Sequence, residues 1–194
     1  TTPGIRLGAT KRSKAILHKA VAEIVHPLYN ELTYENDIML VKLESPSSAP
    51  LQVLNFDSLE PKTGDFNTAI GYGRTVEGGP ISTNLQEVDL EVVSNVDCNS
   101  YKFFTGFIRD SMLCTQTDFK DACSGDSGGP LLTKDGKQVG IVSFGDGCAR
   151  VGAPAVHTRV SSFQSWIELA ICDVSDSPPE NCPTATPTIA LTDT

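Results

Sequence analysis

Ser127 sits in the stretch "DACSGDSGGP", boxed in by Gly125, Gly128 and Gly129 and flanked by Asp121 and Asp126. A serine hydroxyl is a poor nucleophile at neutral pH unless a base takes its proton. Glycines let the main chain approach a substrate closely. The N–H groups of Gly125 and Ser127 can then face one space and hold an oxyanion, each such donor contributing about 3–4 kcal/mol in the transition state. Asp37 opens the apolar run "DIMLVKL". Taken alone, an Asp before a strand is more often a turn residue than a catalytic one. The chain has only three histidines to offer as a base, His18, His26 and His157.

The elements that must carry these groups read as short strands. "AEIVHP" and "DIMLVKL" are apolar runs with polar ends. "EVDLEVV" alternates, with Val88, Leu90 and Val92 on one face and Glu87, Asp89 and Glu91 on the other, the period of a half-buried strand. "KQVGIVSFG" is more apolar and reads as a more buried strand. The period then changes. Phe163, Trp166, Ile167, Ala170 and Ile171 recur on one face of a helix, with Ser161 or Ser162 available as its cap. Many strands followed by one terminal helix predict an all-β barrel or sandwich. "GYGRTVEGGP" lacks the glycine spacing and following Lys of a phosphate loop and reads as a turn.

Composition limits the function classes. The chain has 194 residues, is 20% charged and carries a net charge of −9, which argues against a nucleic-acid partner. Lys11, Arg12 and Lys14 form the one basic cluster and read as a solvated turn. No apolar run approaches the roughly 20 residues that span a bilayer. Six cysteines without a CxxC pair favour disulfides over zinc, hence a secreted, extracellular protein. Their number alone leaves the pairing open. After Cys172 the chain turns rich in Thr, Pro and Ser, so residues 173–194 read as a disordered tail or stalk following a domain at 1–172.

Three ordered motifs resemble the chymotrypsin/trypsin-like serine proteases. "DACSGDSGGPLL" is similar to their nucleophile segment and "HPLYNELTYENDIMLVKLESP" to the segment bearing their catalytic aspartate. "IVSFGDGCARVGAPAVHTRVSSFQSWI" is similar to their substrate strand, pocket rim and terminal helix. The resemblance runs from about Leu7 to Cys172. It implies a two-barrel fold, here with the first barrel incomplete, and a C-terminal helix. It implies a serine endopeptidase working through an acyl-enzyme intermediate on protein or peptide substrates, subject to protein protease inhibitors, with no cofactor. A catalytically inactive homologue acting as a binding or inhibitor protein is the alternative.

Matched residue by residue, Ser127 takes the place of the nucleophile and Asp37 that of the acid that orients the imidazole. Gly125 and Ser127 match the oxyanion donors, and Asp126 the acid that receives a new N-terminal amine on activation. Ser143 matches the serine bonded to the buried aspartate; Ser143, Phe144 and Gly145 match the segment that pairs with substrate. Asp121, six residues before Ser127, matches the floor of the specificity pocket and implies cleavage after Lys or Arg. Gly145 and Ala155 match its walls, Ala155 standing where a glycine is usual and narrowing the pocket.

The resemblance also implies bridges Cys98–Cys114 and Cys123–Cys148. A third family bridge is replaced as a unit by Asn67 and Thr133, while Cys172 and Cys182 have no counterpart and are close enough in sequence to pair locally. The loop "TKRSKA" is basic where some members hold calcium, so no metal is expected there. None of the three histidines matches the family base. His26 matches a surface His-Pro pair, His18 lies in the preceding strand or loop, and His157 stands at a packed core position. The base is expected to lie outside this sequence, together with roughly 50–65 residues of a domain of ordinary all-β size.

Overall fold

The structure is a computed structural model and describes residues 4–180 and Cys182. The expected tail therefore falls largely outside the described residues. Nine strands run in the order β1 (Gly4–Leu7), β2 (Ile16–Val25), β3 (Met39–Leu43), β4 (Phe66–Gly71), β5 (Gln86–Val93), β6 (Met112–Thr115), β7 (Pro130–Leu132), β8 (Gln138–Gly145) and β9 (Ala155–Arg159). Two helices interrupt and end them, α1 (Asn95–Ser100) and α2 (Gln164–Val174). The first three strands form an antiparallel sheet in the order β1-β2-β3. The other six close into a barrel, β4-β5-β6-β9-β8-β7.

The alternation in "EVDLEVV" sets the barrel's inside. Leu90 and Val92 are buried with Ala69, Leu113, Leu131, Val139 and Val142, and Val88 packs against them. Burying each leucine of this group contributes about 1.5–3 kcal/mol. Closure gives every barrel strand two neighbours, which limits edge-to-edge association, while Phe144 and Gly145 of β8 extend past β7 and pair with β9 alone. The β1-β2-β3 sheet is open, and Ile16, Leu17, Val21, Val25 and Met39 on it are exposed.

α2 buries Ile167 and Ala170, and Phe163 before it is buried too, as the periodicity predicts; Ile171 is 38% exposed. The expected serine cap is absent. A 3-10 turn over Val160–Phe163 leads straight into α2, so Phe163 occupies the cap position with no side-chain bond. Phe163 and Ile167 pack on Ile38, which joins the helix to the loop ahead of β3. α1 is too short for a periodicity signal, but Ser94 caps it by accepting the Asp97 N–H. Disulfides join Cys98 to Cys114, Cys123 to Cys148 and Cys172 to Cys182. The first fastens α1 to β6.

Candidate active site

Ser127, Asp121, Ser143, Phe144, Gly145 and Ala155 line one cavity of about 220 Å³ at the mouth of the closed barrel. The sequence spreads these residues over three segments, and the β7–β8–β9 pairing gathers them. Asp37 comes from the loop ahead of β3. Its Oδ2 accepts a hydrogen bond from Ser143 Oγ at 2.5 Å, so Ser143 touches both the cavity and Asp37. A β-bulge aims that hydroxyl. Val142 pairs with His157 and Phe144 with Val156, leaving Ser143 as the extra residue. Such a residue turns its side chain out of the regular alternation.

The turn before Ser127 depends on glycine. Gly125 has φ +102°, and a Cβ there would lie 2.7 Å from Ile81 Cδ1 and 3.1 Å from Gly73 Cα. Among the described residues no acceptor pairs with the backbone N–H of Gly125 or Ser127, whereas those of Gly128 and Gly129 bond Val142 and Asp126. The Gly125 and Ser127 donors are thus available to a ligand.

Asp126 points away from the Ser127 cavity into a neighbouring one of about 260 Å³ lined by Gly71, Gly73, Glu77 and Cys123. Its carboxylate accepts the N–H groups of Gly73 at 2.7 Å and Cys123 at 3.0 Å. A Cβ on Gly71 would fall 1.9 Å from Asp126 Oδ1. The loop "GYGRTVEGGP", read as a plain turn, is therefore the wrapping of this carboxylate.

Asp121 Oδ2 accepts the Ala149 N–H at 3.0 Å. Burial raises its pKa from the ordinary 3.8 to about 6, against the lowering effect of its bonds to the Ala149 and Ala122 amides; Asp126 adds a smaller upward push. This is a largely buried carboxylate with no cation paired to it among the described residues. Gly145 and Ala155 stand on facing strands, with a Cβ on Gly145 meeting Ala155 Cα at 3.8 Å.

The histidines sit apart from this cavity. His157 is fully buried, its Nε2 2.8 Å from Thr115 Oγ1 and its Nδ1 without a partner among the described residues. Desolvation lowers its pKa from 6.5 to about 4. His26 packs against Phe163 and Trp166, and its Nδ1 accepts the Leu28 N–H. His18 lies on β2 opposite Ile5.

Several contacts around the cavity have no local sequence signal. Tyr34, at φ 54°, stacks on Phe144 with centroids 5.1 Å apart, and Phe104 meets Phe144 edge-on. Arg150 bonds both Glu77 and Asp146, and Tyr101 donates to Asp146 at 2.6 Å, tying three loops together beside the cavity. Among the described residues no cluster of three His, Cys, Asp or Glu side chains could hold a metal ion. No described helix is long and apolar enough to cross a membrane.

Comparison with known proteins identifies relatives of this chain. The family model described as Trypsin matches residues 3–167. The serine proteinase stubble of Drosophila melanogaster is 43% identical over 166 residues, covering 78% of this chain and 21% of that protein. Trypsin alpha-3 of Lucilia cuprina is 37% identical over 80% of this chain and 95% of its own length. Trypsin epsilon of Drosophila erecta is 40% identical over 84% of this chain and 66% of its own. The chain thus spans less than two thirds of the first and about two thirds of the third.

Proposed function

Since the chain belongs to the trypsin family of serine proteases, we propose that the whole protein is an endopeptidase that cleaves after Lys or Arg through an acyl-enzyme at Ser127. One observation carries this reading: Ser143 bonds Asp37 while lining the same cavity as Ser127 and Asp121. The proposed nucleophile and selecting acid share that cavity, and the proposed orienting acid is bonded to a residue of its wall.

In this mechanism Ser127 Oγ attacks the scissile carbonyl as an imidazole takes its proton. Asp37 orients that imidazole and stabilises its cationic form. The free amides of Gly125 and Ser127 receive the oxyanion. Asp121 draws the cationic side chain of the substrate, because an unpaired buried carboxylate gains most from an opposite charge. Phe144 and Gly145 bind substrate main chain as an added strand beside β8. A new N-terminal amine, entering beside Asp126, would exchange the Gly73 and Cys123 amides for a charged partner and set the Ser127 loop. Three disulfides fit work in an oxidising, extracellular compartment.

None of the three histidines lines the Ser127 cavity. His157 is sealed in the barrel and His26 is packed on α2. That observation also favours a second reading, a non-catalytic homologue that binds through the same cavity. Turnover of Lys, Arg, Phe and Leu substrates by the full-length protein separates the two. The endopeptidase reading expects Lys and Arg to be preferred; absence of turnover selects the homologue.

A further inference from the structure

Two strands of the closed barrel reach across to the loop carrying Asp37. β8 contributes Ser143, on the carboxylate. β9 contributes Thr158, whose Oγ1 donates to the main-chain carbonyl of Asp37 at 2.6 Å. Thr158 is 3% exposed, and its main chain is paired on one side with Met112 and on the other with Ile141. It is therefore a rigid donor. Asp37 is held less firmly. It follows Asn36 at φ 59°, precedes β3, and no described backbone N–H donates to its carbonyl.

The two hydroxyls do different things. Ser143 fixes where the carboxylate points once the main chain is placed. Thr158 fixes the main chain itself. We infer that Thr158 is a positioning residue: its hydroxyl ties the Asp37 backbone to the barrel that holds Ser127, and so sets the distance across which the orienting carboxylate works. This inference rests on the endopeptidase reading. Without the hydroxyl, the Asp37 carbonyl loses its one partner among the described residues, which favours a shift of the loop towards water. A displacement of about 1 Å in a catalytic group costs up to about a hundredfold in rate.

The test uses the full-length protein and compares Thr158→Val, which replaces the hydroxyl by a methyl, with Thr158→Ser, which keeps it. Thr158→Ala replaces the valine variant should that one not fold. The measurements are kcat and KM on a Lys ester, the pH dependence of kcat, and hydrogen exchange of the Ile38 amide. The expected result is a kcat lower by about tenfold or more with KM nearly unmoved. The acid limb of the profile should move to lower pH, because the imidazolium loses its orienting charge, and Ile38 should exchange faster. Thr158→Ser should restore kcat to within about threefold of wild type. An unmoved kcat and pH profile alongside a lower melting temperature overturns the inference, since the residue would then be merely structural. A wild type without turnover overturns the endopeptidase reading instead; unchanged Ile38 exchange in the valine variant then still overturns the anchoring of Asp37.

Discussion

Replacing Asp121 by Asn should stabilise the protein at pH 8 and leave it nearly unchanged in acid. The folded carboxyl has its pKa raised from 3.8 to about 6, chiefly by desolvation. A raised folded pKa means stability that is full below pH 3.8 and lost as pH rises through 6. That displacement corresponds to roughly 3 kcal/mol, and solvent at the cavity mouth screens part of it, leaving about 1–3 kcal/mol. Asparagine keeps an oxygen for the Ala149 N–H and carries no charge. Urea unfolding of both proteins at pH 4 and pH 8 measures the difference. The variant should gain on wild type between those values. Adding benzamidine, a small cation, should cancel the gain by stabilising the wild type alone. An equal difference at both pH values would mean that Asp121 is not a desolvated, unpaired carboxylate, and the charge argument for its role would fall with it.

His157 should give the opposite slope: with its folded pKa lowered to about 4, it contributes stability present above pH 6.5 and lost as pH falls towards 4, up to roughly 3 kcal/mol. His157→Gln should flatten that acid loss in unfolding measurements. Ala155→Gly should raise kcat/KM on Arg substrates relative to Lys substrates by about tenfold, the scale of one methyl in a tight pocket; an unchanged ratio would place the wall elsewhere. Non-reducing peptide mapping should recover Cys98–Cys114, Cys123–Cys148 and Cys172–Cys182, and Cys172 joined to any of the first four would contradict the topology.

What the sequence made legible was local or carried by motif. Alternation at Val88, Leu90 and Val92 marked the inward face of β5, and the 3.6 period marked the buried face of α2. The glycine box located Ser127 because its requirement for close main-chain approach is written in consecutive residues. α1 escaped because six residues carry no periodicity, although Ser94 and Asp97 stood at capping distance. The closed strand order was not legible, since pairings such as β6 with β9 join residues far apart in the chain. The same holds for the contacts that assemble the site. Thr158 and Asp37 are 121 positions apart, and nothing near either residue announces the other. The bulge at Ser143 follows from register, which no strand pattern encodes by itself.

The central claim is that Ser127 is a nucleophile in the complete protein and is powerless within these 194 residues alone. Treating both with a fluorophosphonate, then mapping the adduct by mass spectrometry, tests it most directly. The full-length, activated protein should carry one adduct, on Ser127, and lose it in Ser127→Ala; residues 1–194 alone should take up none at a comparable rate, because none of their three histidines lines the Ser127 cavity to deprotonate the hydroxyl. An activated full-length protein that takes no label at Ser127, or a 194-residue chain that labels as fast as the whole, would contradict the account.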